Sequence, residues 1–496
     1  MNLLNFLSYD SSNPVLFNSG FFIWFFFIFI LFYSLASKFR LPKVFVILVF
    51  SYYFYYRASG WFIVLLFLTT FFDYVLAGLI YSSNTKYLKK IFLIFSLLIN
   101  IGLLVYFKYA NFFVNLYGDL SGSDILLLNI VVPFGISFYT FQKLGYVLDV
   151  YKDTVKPYSS FAEFTAFVSF FPVIGAGPIL RARNFIPQLQ EIPETGNFEI
   201  SRAVFLISAG LIKKGIISDY IGVNFVDRIF ENPSLYTGFE NLSAIYAYAI
   251  QIYCDFSGYS DIAIGIALLM GFKIPDNFNS PYKAKGISDF WKRWHISLSL
   301  WFRDYLFLPV AYKILRVLKN KKFLGVKPEN WSYHFSTFVT MTLCGFWHGA
   351  NLTFIFWGIY HAIGLSFERV FNSVFRFKSN FLSKSLNWFF TLHFILLGWL
   401  FFRAESFDKA IEILKIITGS LNYAGIGEII SGYKEVYIII LAGYLLHFTP
   451  KKVEDLYRNF LLKLPLIAKV AFLVLVIWLI IQVKTSQIQP FIYFSF

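Results

Sequence analysis

The sequence predicts an all-α, polytopic membrane protein, and three observations predict it. The chain of 496 residues is 58% hydrophobic and only 14% charged, a balance with too little polar surface for a soluble fold of this size. Several apolar runs approach or exceed the roughly 20 residues that cross a hydrocarbon core as a helix. Lys and Arg collect in short clusters between those runs, as the positive-inside rule expects of cytoplasmic loops. The same rule accounts for the net charge of +15 without a nucleic-acid partner. The 65 Phe and 33 Tyr are assigned to packing and interfacial anchoring.

Residues 17–37 make the first span. Lys38, Arg40 and Lys43 behind it put that loop in the cytoplasm and the N-terminus outside. No Lys or Arg precedes Lys38, so the stretch lacks the basic region of a cleaved signal peptide and is expected to stay. Residues 43–56 and 61–81 go out and back around Ala58-Ser59-Gly60, and Lys86, Lys89 and Lys90 mark the inside again. Residues 91–110 cross outward to a turn carrying Asp119 and Asp124, and 125–151 return, kinked at Pro133 and Gly135. The run FAEFTAFVSFFPVIGAGPIL, residues 161–180, is apolar but interrupted by Pro172, Gly175, Gly177 and Pro178. Irregular backbone at membrane depth has to be covered by protein or line a cavity. This run therefore reads as re-entrant, returned to the inside by Arg181 and Arg183.

Residues 200–222 cross outward, 241–272 cross back, and 273–333 read as cytoplasmic and interfacial, with Trp291, Trp294 and Trp301 at headgroup level. From Lys313 to Lys327 the chain carries six Lys/Arg and no acid. Residues 335–370 read as a second broken hairpin, bent at Gly345 and at His348-Gly349-Ala350-Asn351. Arg376, Lys378 and Lys384 return it inside, 386–402 go out, and 404–433 lie outside. Residues 434–449 then return, Lys451, Lys452 and Arg458 mark the inside, and 466–483 go out. The sum is about ten to twelve transmembrane helices plus re-entrant segments. They form one membrane domain over residues 1–496, with no internal repeat, low-complexity tract or soluble domain.

Few residues in this apolar chain can carry chemistry. Cys254 and Cys344 fall in apolar segments, offering neither a disulfide framework nor metal-ligand spacing, and a thiol buried there is a poor nucleophile. No P-loop, dinucleotide motif, zinc spacing or nucleophile elbow is present. A histidine inside an apolar span ordinarily serves as a packing hydrogen-bonder, which is the reading of His361, His393 and His447. His348 departs from it. Glycine stands at 345 and 349, so the backbone is expected to be non-helical and to face a cavity. Asn351, three residues on, is placed to orient an imidazole or stabilise a developing oxyanion.

His295 lies in DFWKRWHISLSLWFRDYLFLP, residues 289–309, on an amphipathic, tryptophan-rich helix. There it reads equally as an interfacial histidine or a functional one. Asp255 and Asp261 stand in the apolar stretch QIYCDFSGYSD, residues 251–261, where an acid is destabilising unless paired or hydrated. Ser257 and Asp261 share a helical face at i,i+4. The structural reading of the two acids is an ion pair with Arg293 or Arg303.

Three longer words add a resemblance. QIYCDFSGYSDIAIGIALLMGF, SPYKAKGISDFWKRWHISLSLWFRDYLFLP and GFWHGANLTFIFWGIYH resemble the membrane-bound O-acyltransferase family. The branch they are similar to is the bacterial one that contains alginate O-acetyltransferase and the teichoic-acid D-alanyl transfer protein. FPVIGAGPILRARNFIPQL and the C-terminal QPFIYFSF fit the same branch, and the likeness runs in order over nearly the whole chain. It implies a ring of membrane helices around a thinned centre with a central tunnel, His348 at the family's active-site histidine and His295 at its second. It also implies an acyl group taken from a cytoplasmic thioester such as acetyl-coenzyme A, a donor substrate and not a tightly bound cofactor. Delivery on the far side commonly uses an envelope acetyltransferase of the SGNH-hydrolase type.

The reading that follows is an O-acyltransferase of the bacterial cytoplasmic membrane that modifies an envelope polysaccharide or peptidoglycan, with acetyl as the first expectation for the acyl group and D-alanyl left open. A thioester is already activated, so the protein has chiefly to deprotonate a hydroxyl and stabilise the oxyanion. His348 is the candidate general base, and His295 positions the thioester or tunes its partner. Asn351, Asp255, Ser257, Asp261, Trp294 and Arg303 are the candidate substrate-binding residues, and no metal is expected. The rival reading is a transporter or flippase for an acyl or glycan precursor. Transporters often carry paired repeats, and none is visible here.

Overall fold

The computed structural model describes residues 9, 17, 19–123, 125–319, 321, 322, 325–375, 380–419, 425–483, 491 and 492. Asp124, Arg376, Lys378 and most of the QPFIYFSF tail lie outside the described residues, as do 420–424 of the 404–433 segment. Among the described residues all regular structure is helical and no strand forms.

A 32-residue helix, Gly238–Leu269, is the axis of the fold. Thr237 and Glu240 close its N-terminus with a reciprocal capping box, Thr237 N donating to Glu240 Oε2 at 2.8 Å. At about 48 Å this helix is longer than a bilayer core, yet nearly all of it is buried in protein. Its main neighbour is the helix Asn197–Ile212, and small residues let the two backbones touch. A Cβ on Gly258 would come within 2.8 Å of the Gly210 carbonyl oxygen, and one on Gly210 within 2.5 Å of the Gly258 oxygen. Such close crossings are the usual device where lipid supplies no hydrophobic drive for helix association.

Four helices among the described residues are long and apolar enough to cross a bilayer unaided: Phe62–Ser82, Lys86–Ser121, Gly238–Leu269 and Phe381–Arg403. A fifth results if Ile426–Gly432 and Lys434–Phe448, bent by 88°, count as one span, and Gly20–Ala36 and Leu466–Gln482 are apolar but shorter. The chain is a multi-pass membrane protein whose further spans must be the short, broken or polar-laced helices. The physical reason is coverage, because a segment sheathed by other helices has no need to be long or uniformly apolar.

Several boundaries move for the same reason. The expected crossing over 125–151 is helical only at Ile136–Tyr151, after a left-handed Gly135. The 161–180 run forms one short helix, Phe161–Ser169, and then irregular backbone that is wholly buried, as a covered re-entrant segment requires. The basic 313–327 loop is helical at its start, in Leu308–Leu318. The 273–333 region is not simply interfacial, since Trp294 and Trp301 are buried and not at headgroup level. Trp294 packs on Trp399 at 4.8 Å, and Trp301 stacks on Phe141 at 4.0 Å while donating its indole N–H to the Phe141 carbonyl.

Candidate active site

The helices Pro328–His348 and Leu352–Val374 pack on each other and deliver the first histidine. Contrary to the bend expected at Gly345, the first helix runs through it unbroken. Gly345 serves close packing instead: a Cβ there would lie 2.2 Å from the Phe354 carbonyl oxygen, and one on Gly358 would lie 2.2 Å from that of Met341. His348 is therefore helical, the last residue of its helix, and the break begins at the extended Gly349. Asn351 is the N-cap of the next helix. Its Oδ1 accepts from Thr353 N at 3.1 Å and its Nδ2 donates to the Glu405 carbonyl at 2.7 Å, so its amide bonds the turn and not an imidazole.

The His348 ring is 2% exposed and boxed by aromatics: Trp347 at 4.9 Å, Trp357 at 5.2 Å nearly perpendicular, and Phe402 at 5.2 Å. The Cys344 sulfur, one turn earlier, lies 3.9 Å from Nε2. His295 is also fully buried, which corrects its placement on an interfacial helix. It is the N-cap of Ile296–Phe302, with φ 43° and ψ 55°. This left-handed conformation is uncommon outside glycine and tends to persist where the surroundings over-determine it.

The surroundings here centre on Asn277, a residue the sequence did not single out. Its Oδ1 accepts from Ser297 N at 3.2 Å and Ser297 Oγ at 2.9 Å, and its Nδ2 donates to Ser260 Oγ at 3.1 Å. A backbone N–H can only donate, so that end of the amide is the oxygen. His295 Nδ1 lies 3.2 Å from the same oxygen and must carry the proton, which makes Nε2 the basic nitrogen. The Asn277 carbonyl also accepts from Ile296 N at 2.9 Å, fixing the backbone beside the ring. Trp347 lies against both histidines, 6.3 Å from His295 and 4.9 Å from His348 between ring centres.

The two central-helix acids find partners that the sequence reading missed. Lys213 meets Asp261 at 2.6 Å, and Lys214 bridges Asp255 at 2.5 Å and Asp219 at 2.8 Å. Arg293 pairs instead with Asp289, and Arg303 with Asp304. The lysines reach the acids from the π-helical stretch Lys213–Ser218, which directly follows the glycine crossing; such wide turns are common at functional sites. Ile492 N adds a second bond to Asp255 at 2.9 Å. A cavity of about 450 Å³ opens at this cluster, with Lys214, Asp219, Gln251, Asp255, Asn351 and Arg403 in its lining. Phe354 and Phe402 also line it, and Phe402 is one of the rings packed on His348.

Asn351 and Asp255 thus share a cavity one aromatic layer from His348. Ser257 is buried on the central helix, Asp261 faces Lys213, and Trp294 is buried among aromatics, none of them in that lining. Arg303 is more than half exposed, a surface position. Three of the other four histidines hold packing bonds: His361 Nδ1 accepts from Trp291, His447 Nε2 accepts from Tyr282 N, and His393 meets Tyr246 Oη. Among the described residues no group of three or more His, Cys, Asp or Glu side chains is arranged to hold a metal.

Residues 152–404, a stretch that includes His295, His348 and the lysine–aspartate cluster, match the model of the membrane-bound O-acyltransferase family. The chain belongs to the membrane-bound O-acyltransferase family. It is accordingly an acyltransferase. The peptidoglycan O-acetyltransferase of Helicobacter pylori is 33% identical over 404 residues, which are 76% of this chain and 74% of that protein. The Probable alginate O-acetylase AlgI of Pseudomonas aeruginosa is 37% identical over 326 residues, 64% of this chain and 58% of that one. The teichoic acid D-alanyltransferase of Bacillus subtilis is 31% identical over 288 residues, 56% of this chain and 70% of that one. In this membrane-bound O-acyltransferase the buried histidine pair lies inside the family region.

Proposed function

We propose that this protein takes an acyl group, acetyl in the first instance, from a thioester on the cytoplasmic side and transfers it across the bacterial cytoplasmic membrane. Its product would be an O-acetylated envelope polysaccharide or peptidoglycan, reached through a partner acetyltransferase of the SGNH type on the outer face. The observation that carries the reading is the pair of buried histidines flanking Trp347 in a chain whose relatives are named for O-acetylation of peptidoglycan and alginate. In the step itself the acceptor hydroxyl oxygen bonds to the thioester carbonyl carbon, and its proton passes to the His348 imidazole. The carbon–sulfur bond then breaks, and the thiolate leaves with a proton returned from the imidazolium. His295, with its tautomer fixed by Asn277, positions the donor. Neither histidine needs a tightly bound cofactor, since acetyl-coenzyme A or another acyl thioester is a substrate. The polar cavity beside Asp255 and Asn351 supports an approach route for the acceptor.

The experiment is release of free thiol from acetyl-coenzyme A by the purified protein in detergent, with and without an acceptor hydroxyl. Acceptor-dependent release is expected. Binding and movement of an acyl or glycan precursor with no thioester turnover would favour a transporter instead.

A further inference from the structure

A cation stands midway along Lys86–Ser121, the least buried of the four long apolar helices. Between Ile91 and Gly118 the chain carries a single charged side chain, Lys108, and Lys86–Ser121 is otherwise apolar enough to cross a bilayer. A charge at that depth persists only where it is paired or faces protein. Lys108 lies in a π-helical turn, Val105–Tyr109, and its ammonium reaches the neighbouring helix. It donates to the Trp347 carbonyl at 2.7 Å and to the His348 carbonyl at 2.9 Å. Tyr109 Oη, the next residue, donates to the Phe346 carbonyl at 2.8 Å, and its ring stacks on Phe346 at 4.3 Å.

Those three carbonyls belong to the last turn of the histidine helix. The final four carbonyls of a helix lack backbone partners of their own, and a glycine in the left-handed conformation usually closes such an end. Gly349 is extended instead, at φ −163° and ψ 156°, so that closure is absent. Two side chains from another helix do the work, and a cation at a helix C-terminus also complements the dipole. Charge-assisted bonds to carbonyls are shorter and stronger than neutral ones. Lys108 also lies 5.7 Å from the Trp347 ring, the ring that contacts both histidines.

We propose that Lys108 is a positioning residue for acyl transfer, clamping the last turn of Pro328–His348 so that the His348 imidazole is held for the reaction. It rests on the reading of His348 as the base. Lys108 itself touches the backbone and takes no part in bond making. A displacement of about 1 Å at a catalytic group can cost about 100-fold in rate.

The test uses the purified full chain in detergent, acetyl-coenzyme A as the probe, and hydrogen–deuterium exchange of residues 345–351. Lys108→Met is expected to lower kcat by about 100-fold, leave the KM for acetyl-coenzyme A unchanged, and lose exchange protection at that turn. Lys108→Arg, which keeps a charged donor, is expected to retain most of both. Tyr109→Phe, which removes one bond and no charge, should shift exchange in the same direction by less. Wild-type kcat in a folded Lys108→Met overturns the proposal. So does a lost kcat with exchange unchanged, or equal loss in the Met and Arg variants. Should His348→Ala keep wild-type kcat, it is the base reading that fails, and exchange in Lys108→Met still reports on the clamp.

Discussion

The two candidate histidines, His295 and His348, are both buried among aromatics but are held by different means. His295 is oriented through its ring: a single asparagine oxygen sets the tautomer, and the same residue's carbonyl holds the backbone. His348 is oriented through its backbone, with aromatic faces around the ring and a lysine and a tyrosine holding the carbonyls of its turn. A ring fixed by a hydrogen bond keeps its donor and acceptor ends in assigned places. A ring held in an aromatic box, with Cys344 Sγ 3.9 Å from Nε2, keeps its place chiefly through packing. On the proposed reading, the proton-transfer work falls to His348 and donor positioning to His295.

The largest expected effect is therefore at His348. Losing a positioned general base costs about 10²–10⁴-fold in rate, and His348→Ala should show that loss in kcat, measured as thiol release by purified protein. Next come the variants that attack the tautomer. Asn277→Leu should lower the rate by about 10- to 100-fold while His295 stays in the chain. His295→Ala should fall in the same range, with part of the loss in KM for the donor. If Asn277→Leu were silent and His295→Ala severe, the hydrogen bond would not be what orients the ring.

How much of this was legible varies residue by residue. The break after His348 was readable, because Gly349 and Asn351 are residues that end one helix and cap the next. Its exact register was not, since Gly345 looks like a breaker in sequence but is a contact between two backbones. His295 read as interfacial because Trp, Lys and Arg surround it. Nothing in a one-dimensional pattern says that Trp294 and Trp301 turn inward. The lysine partners of Asp255 and Asp261 lie 41 and 48 positions away, hidden in an apolar run by a π-helical turn. Asn277 sits in a loop-like PDNFNSP stretch, and Lys108 reads as a stray charge until the neighbouring helix end is seen. The all-helical membrane class, by contrast, follows from composition together with the length of the apolar runs.

The smallest expected effect concerns the basic 313–327 segment. Lys319, Lys321 and Lys322 are exposed and make no contact with either histidine. Coenzyme A is polyanionic, and an acidic carrier protein would be drawn in the same way. Neutralising all three should raise the KM for acetyl-coenzyme A by a few-fold at low salt, less at high salt, with kcat intact. An unchanged KM in correctly inserted protein would leave these lysines as topology determinants only.

The most direct test of the account compares donor binding with turnover in the two single variants, using purified protein and acetyl-coenzyme A. His348→Ala is expected to bind the donor with wild-type affinity and fail to transfer, whereas His295→Ala is expected to keep measurable turnover with weakened donor use. Wild-type transfer by His348→Ala would contradict the assignment. Equal and complete loss in both would contradict the division of roles and make the two histidines one coupled unit.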